Sequence, residues 1–365
     1  MTNRSDFHVA VFAGDGIGTE ITEPTLALIE RAAARVGGLG FRWSACAAGA
    51  AHYRDHGTAL PGEALTTARQ ADAILLGAMG LPSVRYPDGR EITPQIDLRM
   101  ELGLYAGVRP VKPVPGVRPV LAAPEAHAVD YVILRESTEG LFAPQAPGTR
   151  DGDTEARETL VITRATCTKL FDFAFRLAEA RGQGRKVTSV DKANVFQAFA
   201  FWREVFSERA ALHEGQADAD FAYVDAFAMT MVQKPWTIDV AVTENMFGDI
   251  LSDLGAALMG GMGYAPSADI GDEPAVFQPG HGSAPDIAGQ GLANPTAMIL
   301  SAAMMLDWLG ETHAAAEPRR ASALLRSAVE HAFAPGALVT CELGGTAGTA
   351  AVFKAVEAAL EGLDV

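Results

Sequence analysis

Short apolar runs that end on glycine or a charged residue alternate along this chain with longer stretches of helical period. That alternation limits the possible folds more than any other feature. Phe7 to Ala13 leads into Gly14-Asp15-Gly16-Ile17-Gly18, a tight turn, and then into a periodic stretch from Glu20 to Val36. Ala73 to Gly77, Tyr131 to Arg135, Val187 to Asp191 and Asp239 to Val242 are further strand-like runs. Leu170 to Arg181 and Pro295 to Trp308 have helical character. Buried strands interleaved with helices specify an α/β fold. Two stretches fall outside the pattern. Val108 to Val120 carries four prolines and is no helix, and Ala143 to Glu158, rich in Pro, Gly, Asp and Thr, is a loop or an extended arm.

At 365 residues with 48% hydrophobic content the chain is long enough for two domains, each with its own core. No apolar run reaches the length of a membrane span, and the polar N-terminal residues carry no signal-peptide core. Three widely spaced cysteines, Cys46, Cys167 and Cys341, argue against a disulfide framework or a zinc site and suit a reducing cytoplasm. A formal net charge of −16 argues against nucleic acid and anionic membranes as partners. If the ligand is a small anion, basic residues must be concentrated locally.

Several constellations could carry chemistry. Asp249 and Asp253 stand at i and i+4 in a helical stretch, one turn apart on one face. Two like charges there either straddle a cation, for which all-oxygen ligands suit Mg²⁺ or Mn²⁺, or are a helix-terminal Asp followed by a solvated one. Arg99 and Arg109 flank an apolar stretch, and Arg135 ends a buried strand. Each is a candidate bidentate carboxylate ligand or a structural ion pair. Lys192 directly follows a strand, where α/β sites lie. It could act as a base near a metal or be an ordinary surface lysine. The turn at 14–18 lacks the third glycine of the dinucleotide fingerprint, with Thr19 in its place, and is a weak cofactor signal. Pro279 to Gly289 interleaves Gly with His281, Ser283 and Asp286, as a ligand-cradling loop or a buried turn would.

Taken in order, these strings resemble one family from about His8 to Phe353. They are Gly-Asp-Gly-Ile-Gly at 14–18, Leu98 to Pro110, Ser-Val-Asp-Lys-Ala-Asn-Val at 189–195 and Tyr-Val-Asp-Ala at 223–226. Asn-Met-Phe-Gly-Asp-Ile-Leu-Ser-Asp at 245–253 and His-Gly-Ser-Ala-Pro-Asp-Ile-Ala-Gly at 281–289 complete the set. The family is that of the isocitrate and 3-isopropylmalate dehydrogenases, with their tartrate and D-malate relatives.

The resemblance implies a two-domain isopropylmalate dehydrogenase-like α/β fold with parallel or mixed sheets, not a true Rossmann fold. It places a cofactor domain at 1–104 and 260–365. A substrate, metal and dimerisation domain would occupy 105–259, with an arm near 143–165. It implies that Arg99, Arg109 and Arg135 hold the two carboxylates of a malate core. Asp225, Asp249 and Asp253 would hold Mg²⁺ or Mn²⁺, and Lys192 would take the hydroxyl proton. Lys192 and Asp225 would come from the second subunit of a homodimer. Asn194 falls near the nicotinamide. The adenosine loop would comprise His281, Gly282, Ser283, Ala284, Asp286 and Ile287, with Asn294 beyond it. Asp286, where NADP-dependent relatives resembling bacterial isocitrate dehydrogenase carry a Lys-Tyr pair, favours NAD by repelling a 2′-phosphate.

Five departures bear on activity. Phe142 stands where the family has a proton-donating tyrosine, and phenylalanine has no proton to give. Gln278 replaces an acid common before the His281 loop, and Gly280 replaces an apolar residue. Gln95 stands where isopropylmalate enzymes have a leucine, and Thr93 where isocitrate enzymes have a serine. The expectation is an NAD-dependent, metal-dependent dehydrogenase, decarboxylating, acting on a small hydroxy-dicarboxylate with a polar C3 substituent. The alternatives are a 3-isopropylmalate dehydrogenase, a dehydrogenase that does not decarboxylate, and a silent regulatory subunit.

Overall fold

Apolar runs without alternation must be covered on both faces, and helices do this here. The computed structural model describes residues 4–143 and 148–364, and these divide into two compact units. The first comprises 1–102, 113–118 and 259–365, and the second 103–112 and 119–258.

In the first unit the strands are β1 (Asp6–Gly14), β2 (Gly40–Ala45), β3 (Ala73–Ala78), β11 (Pro266–Ile270) and β12 (Val276–Pro279). They lie in the order β2-β1-β3-β12-β11, all parallel except the antiparallel β11–β12 pair. Its helices are α1 (Ile17–Val36), α2 (Ala50–His56), α3 (Gly62–Gln70), α4 (Pro94–Glu101), α9 (Thr296–Thr312), α10 (Ala316–Phe333) and α11 (Thr349–Gly362). Ile17, Ile21, Leu28 and Ala32 form the buried stripe of α1 at helical spacing. α9 is buried almost all round, at the centre of the unit's core.

The second unit has strands β4 (Ala106–Val111), β5 (Tyr131–Glu136), β8 (Lys186–Asp191), β9 (Asp218–Tyr223) and β10 (Val240–Thr243) in the order β4-β5-β10-β8-β9. β4 is antiparallel to β5, and the remaining neighbours are parallel. Its helices are α5 (Arg164–Arg181), α6 (Gln197–Leu212), α7 (Val224–Gln233) and α8 (Asn245–Met259). Around Phe171 an aromatic cluster of Trp202, Phe206 and Phe175 joins α5 to α6. The edge strand β9 is exposed along most of its length.

The stretch 113–118, expected within the 105–259 domain, falls in the first unit. Val114 and Val117 are buried, and Gly116, at φ +86°, lies so close to the Phe333 carbonyl that a side chain has no room. Of the two readings for 143–158, the described part takes that of the arm: Thr149–Asp151 (β6) and Glu155–Arg157 (β7) pair as an exposed antiparallel hairpin, while 144–147 lie outside the described residues.

Candidate active site

The second unit gathers charge where its central parallel strands end. β5, β10 and β8 run in register, with Thr243 beside Arg135 on one side and beside Val190 on the other. The strands stop at one level, and the chain leaving each carries polar groups into the same edge. The carboxyl ends of parallel strands are where such folds bind ligands.

Arg135 is buried there, at the end of β5. Its Nε and one Nη donate to Asn245 Oδ1 at 3.0 and 2.7 Å, while the other Nη pairs with Asp249. Asn245 Nδ2 in turn donates to the Glu139 carbonyl at 3.0 Å, which fixes the amide that fixes the arginine. The Phe142 ring lies 5.6 Å from the guanidinium carbon, a cation–π contact. Arg109, also buried, projects from β4.

Asp249 and Asp253 lie one turn apart on α8, as their spacing foretold. Desolvation and then the charge of Asp249 push the Asp253 carboxyl up, against the pull of Arg135 and Arg109. A hard divalent cation would relieve that strain, and the donors are the oxygens Mg²⁺ or Mn²⁺ takes. Asp225 does not join them. It opens α7, and its Oδ1 accepts from Lys192 Nζ at 2.6 Å, which holds the Asp225 carboxyl below its usual range. Among the described residues no three His, Cys, Asp or Glu side chains gather into a metal-binding group. The expected aspartate trio is therefore divided within one chain.

Lys192 is positioned by a feature absent from the sequence reading. Asp191, fully buried, takes a bidentate pair from Arg203 at 2.9 and 2.7 Å and also accepts from the Ala193 N–H at 2.9 Å. The backbone on both sides of Lys192 is thereby fixed. Asn194, two residues on, lines a cleft of about 390 Å³ with Arg203, Glu204 and Tyr223.

The first unit places the other sequence candidates. Thr93 precedes α4 without capping it. Gln95 and Arg99 stand one turn apart on that helix. Gln95 Oε1 is buried with no hydrogen-bond partner. Arg99 is buried and pairs with Asp269 at 3.2 Å, with its Nε also buried and unpartnered.

The loop after β12 docks on the turn at 14–18. The Ser283 carbonyl accepts from the Ile17 N–H at 2.8 Å, and the Ser283 hydroxyl donates to the Gly80 carbonyl. Gly16, at φ +55°, leaves no space between the two loops for a side chain. Asp15 completes the joint by accepting from the N–H groups of Ala50, Ala51 and Gly80 at 2.7 to 2.9 Å. The turn thus braces the loop, a role its glycine pattern alone did not reveal. Ala284 sits at φ +37°, an uncommon backbone state for a residue with a side chain. Burial pulls His281 down, and its Nε2 is buried without a partner. Gly282, Asp286 and Ile287 follow, with the Asp286 side chain exposed. Asn294 is spent internally. Its Oδ1 accepts from Thr296 N and Oγ1 at the start of α9, and its Nδ2 donates to Glu342 at 2.6 Å.

A model of the isocitrate/isopropylmalate dehydrogenases matches residues 8–356. The chain belongs to this family. It is 41% identical over 345 residues to a 3-isopropylmalate/3-methylmalate dehydrogenase of Methanocaldococcus jannaschii, covering 93% of this chain and 95% of that one. It is 38% identical over 352 residues to a probable tartrate dehydrogenase/decarboxylase of Bacillus subtilis, covering 95% and 96%. Among solved structures, isocitrate dehydrogenase from Methylococcus capsulatus superposes with a TM-score of 0.83 at 35% identity, over 97% of this chain and 99% of that one. The α/β fold with mixed sheets is thus the family's, and the family's members are dehydrogenases of hydroxy acids. No helix among the described residues is long and apolar enough to cross a membrane.

Proposed function

We propose that this protein is an NAD-linked, divalent-metal-dependent dehydrogenase that oxidises a malate-type 2-hydroxy diacid bearing a polar C3 group, and decarboxylates the product. The observation that carries the reading is the cluster at the ends of β5 and β10. There a buried, orienting arginine stands beside two acidic oxygen donors one helical turn apart. That set suits a substrate carboxylate and a hard cation in contact.

When bound, Mg²⁺ or Mn²⁺ would polarise the 2-hydroxyl and NAD⁺ would accept the hydride from C2. The chain's own residues do the rest. Arg99, Arg109 and Arg135 hold the two carboxylates, and Asn245 keeps the Arg135 fork oriented. In the free protein Lys192 Nζ is an ammonium that donates to Asp225; once it has passed that proton to water, the neutral amine would accept the hydroxyl proton, held by the fixed backbone on either side of it. Loss of CO₂ breaks the bond from C3 to its carboxylate, and the bonding pair stays behind as an enolate that is then protonated at C3. Phe142 offers no proton there, so water supplies it. Asp286 would accept from the ribose hydroxyls and disfavour a 2′-phosphate.

We also propose a homodimer. Lys192 and Asp225 form one pair and Asp249 and Asp253 another, and a second copy would bring the two together. Exposed apolar side chains support this reading: Phe221 and Tyr223 on β9, Met229 and Val232 on α7, and Ile250 on α8.

A second reading, 3-isopropylmalate oxidation, is favoured by the names of several relatives. Gln95 speaks against it, because a buried unpartnered amide oxygen needs a donor that an isopropyl group lacks. The test is NADH production from a panel of 3-isopropylmalate, 3-methylmalate, D-malate, tartrate and isocitrate with Mn²⁺. Full turnover in excess EDTA, or no turnover of any diacid, would refute the proposal.

A further inference from the structure

Arg99 poses a question that its proposed role does not answer. A buried guanidinium is costly unless paired, and this one lies on α4, far along the chain from the acid that balances it. Its side-chain hydrogen bond among the described residues is an Nη donating to Asp269 Oδ2 at 3.2 Å, near the long end for such bonds. Asp269, on β11, is itself buried and is held more closely by another residue. Gln278 Nε2 donates to the same oxygen at 2.7 Å.

The sheet explains how Gln278 reaches it. In the antiparallel β11–β12 pair, Ser267 faces Gln278 and Asp269 faces Val276, so Asp269 and Gln278 are diagonal neighbours on one face. The Gln278 backbone is anchored in turn, its carbonyl accepting from the Ser267 and Ser301 hydroxyls at 2.9 and 2.8 Å. The rigid end of this chain is the strand pair and the looser end is the arginine.

We propose that Asp269 and Gln278 are the positioning residues of Arg99. The amide fixes the carboxylate, and the carboxylate holds the guanidinium by one side. The buried, unpartnered Nε shows that the arginine retains donor capacity for an incoming acceptor. The assignment rests on the reading of Arg99 as a substrate-carboxylate ligand. It also explains why position 278 carries an amide. An acid there would set a second carboxylate oxygen against Asp269 Oδ2, and two such groups in contact repel or share a proton. Glutamine supplies a donor instead and adds no second negative charge beside Asp269.

The experiment is steady-state kinetics of D-malate oxidation, with kcat and KM resolved, for Arg99→Gln, Gln278→Glu, Asp269→Asn and the exchange variant Asp269→Asn/Gln278→Glu. Arg99→Gln should raise KM by about tenfold or more, the loss of a charged hydrogen bond to the substrate. Gln278→Glu should raise KM about tenfold with a smaller change in kcat, because added negative charge competes for Arg99. The exchange variant restores one acid and one amide, and should bring KM back most of the way to wild type. If Asp269→Asn fails to fold, Gln278→Glu and the exchange variant carry the test. An exchange variant no better than Gln278→Glu, or an unchanged KM in Gln278→Glu, overturns the positioning role. An unchanged KM in Arg99→Gln instead overturns the substrate reading of Arg99, and the positioning role falls with it.

Discussion

Replacing Gln95 by leucine should turn the enzyme's preference toward an apolar C3 substituent. Gln95 Oε1 is buried and without a partner in the free protein, one helical turn from Arg99. A substrate whose C3 group carries a hydroxyl can donate to it, whereas an isopropyl group seals it off from any donor. Leaving a buried acceptor unsatisfied costs about 1–3 kcal/mol, which is roughly one to two decades in kcat/KM. Leucine removes that penalty and adds apolar contact, at about 0.8 kcal/mol for each methylene it buries. The assay compares kcat/KM for 3-isopropylmalate, D-malate and tartrate in wild type and Gln95→Leu, following NADH with saturating Mn²⁺. In wild type, tartrate should lead, D-malate should follow and isopropylmalate should trail. In Gln95→Leu the ratio of isopropylmalate to tartrate should rise at least tenfold. The variant's thermal transition should not fall, since an unmet polar group has been removed from the interior. Isopropylmalate as the best wild-type substrate, or no gain toward it in Gln95→Leu, would refute the reasoning.

Four further outcomes can be checked. Asp286→Ala should narrow the preference for NAD over NADP by about tenfold, measured as the ratio of kcat/KM values, because an exposed carboxylate no longer repels a 2′-phosphate. Mixing inactive Lys192→Ala with inactive Arg135→Ala protein should restore activity on subunit exchange; persistent inactivity after demonstrated exchange would count against shared sites. Phe142→Tyr puts a hydroxyl on the ring beside Arg135 and should raise the ratio of CO₂ released to NADH formed, if wild type leaves that ratio below one. Burial raises the Glu244 carboxyl, opposed by the Phe247 and Met246 N–H groups that it accepts from. Its contribution to stability is present below the unfolded-state value of about 4.3 and is lost as pH rises through the higher folded-state value. Calorimetry should therefore find that wild type loses stability relative to Glu244→Gln as pH rises above about 4.3; a difference that does not change with pH would rule this out.

Features encoded over a few residues were legible in the sequence. The runs at Ala73, Tyr131 and Val187 became buried strands because a stretch with no polar position has no solvent face to offer. Asp249 and Asp253 share a helix face because four residues make about one turn. Arg135 could be placed at a strand's end because charge there interrupts an apolar run. The arm was legible as a loop or extended segment but its strand pairing was not, since its strands are three residues each and wholly exposed, with no buried face to impose a period.

Pairing between distant segments is a different kind of information. Asp269 meets Arg99 across 170 positions of sequence, and only the β11–β12 register puts Gln278 beside it. Asp15 seemed part of a turn, yet it bonds backbone N–H groups at 50, 51 and 80. Lys192 was visible as a lysine after a strand, but Arg203, which fixes the backbone around it through Asp191, was not. Nor could spacing tell that Asp225 stands with Lys192 and apart from Asp249 and Asp253. Local periodicity reports which face of an element is apolar. Which polar groups meet once those faces are buried is decided by strand order, register and the loops that brace one another, and these exist only in the folded chain.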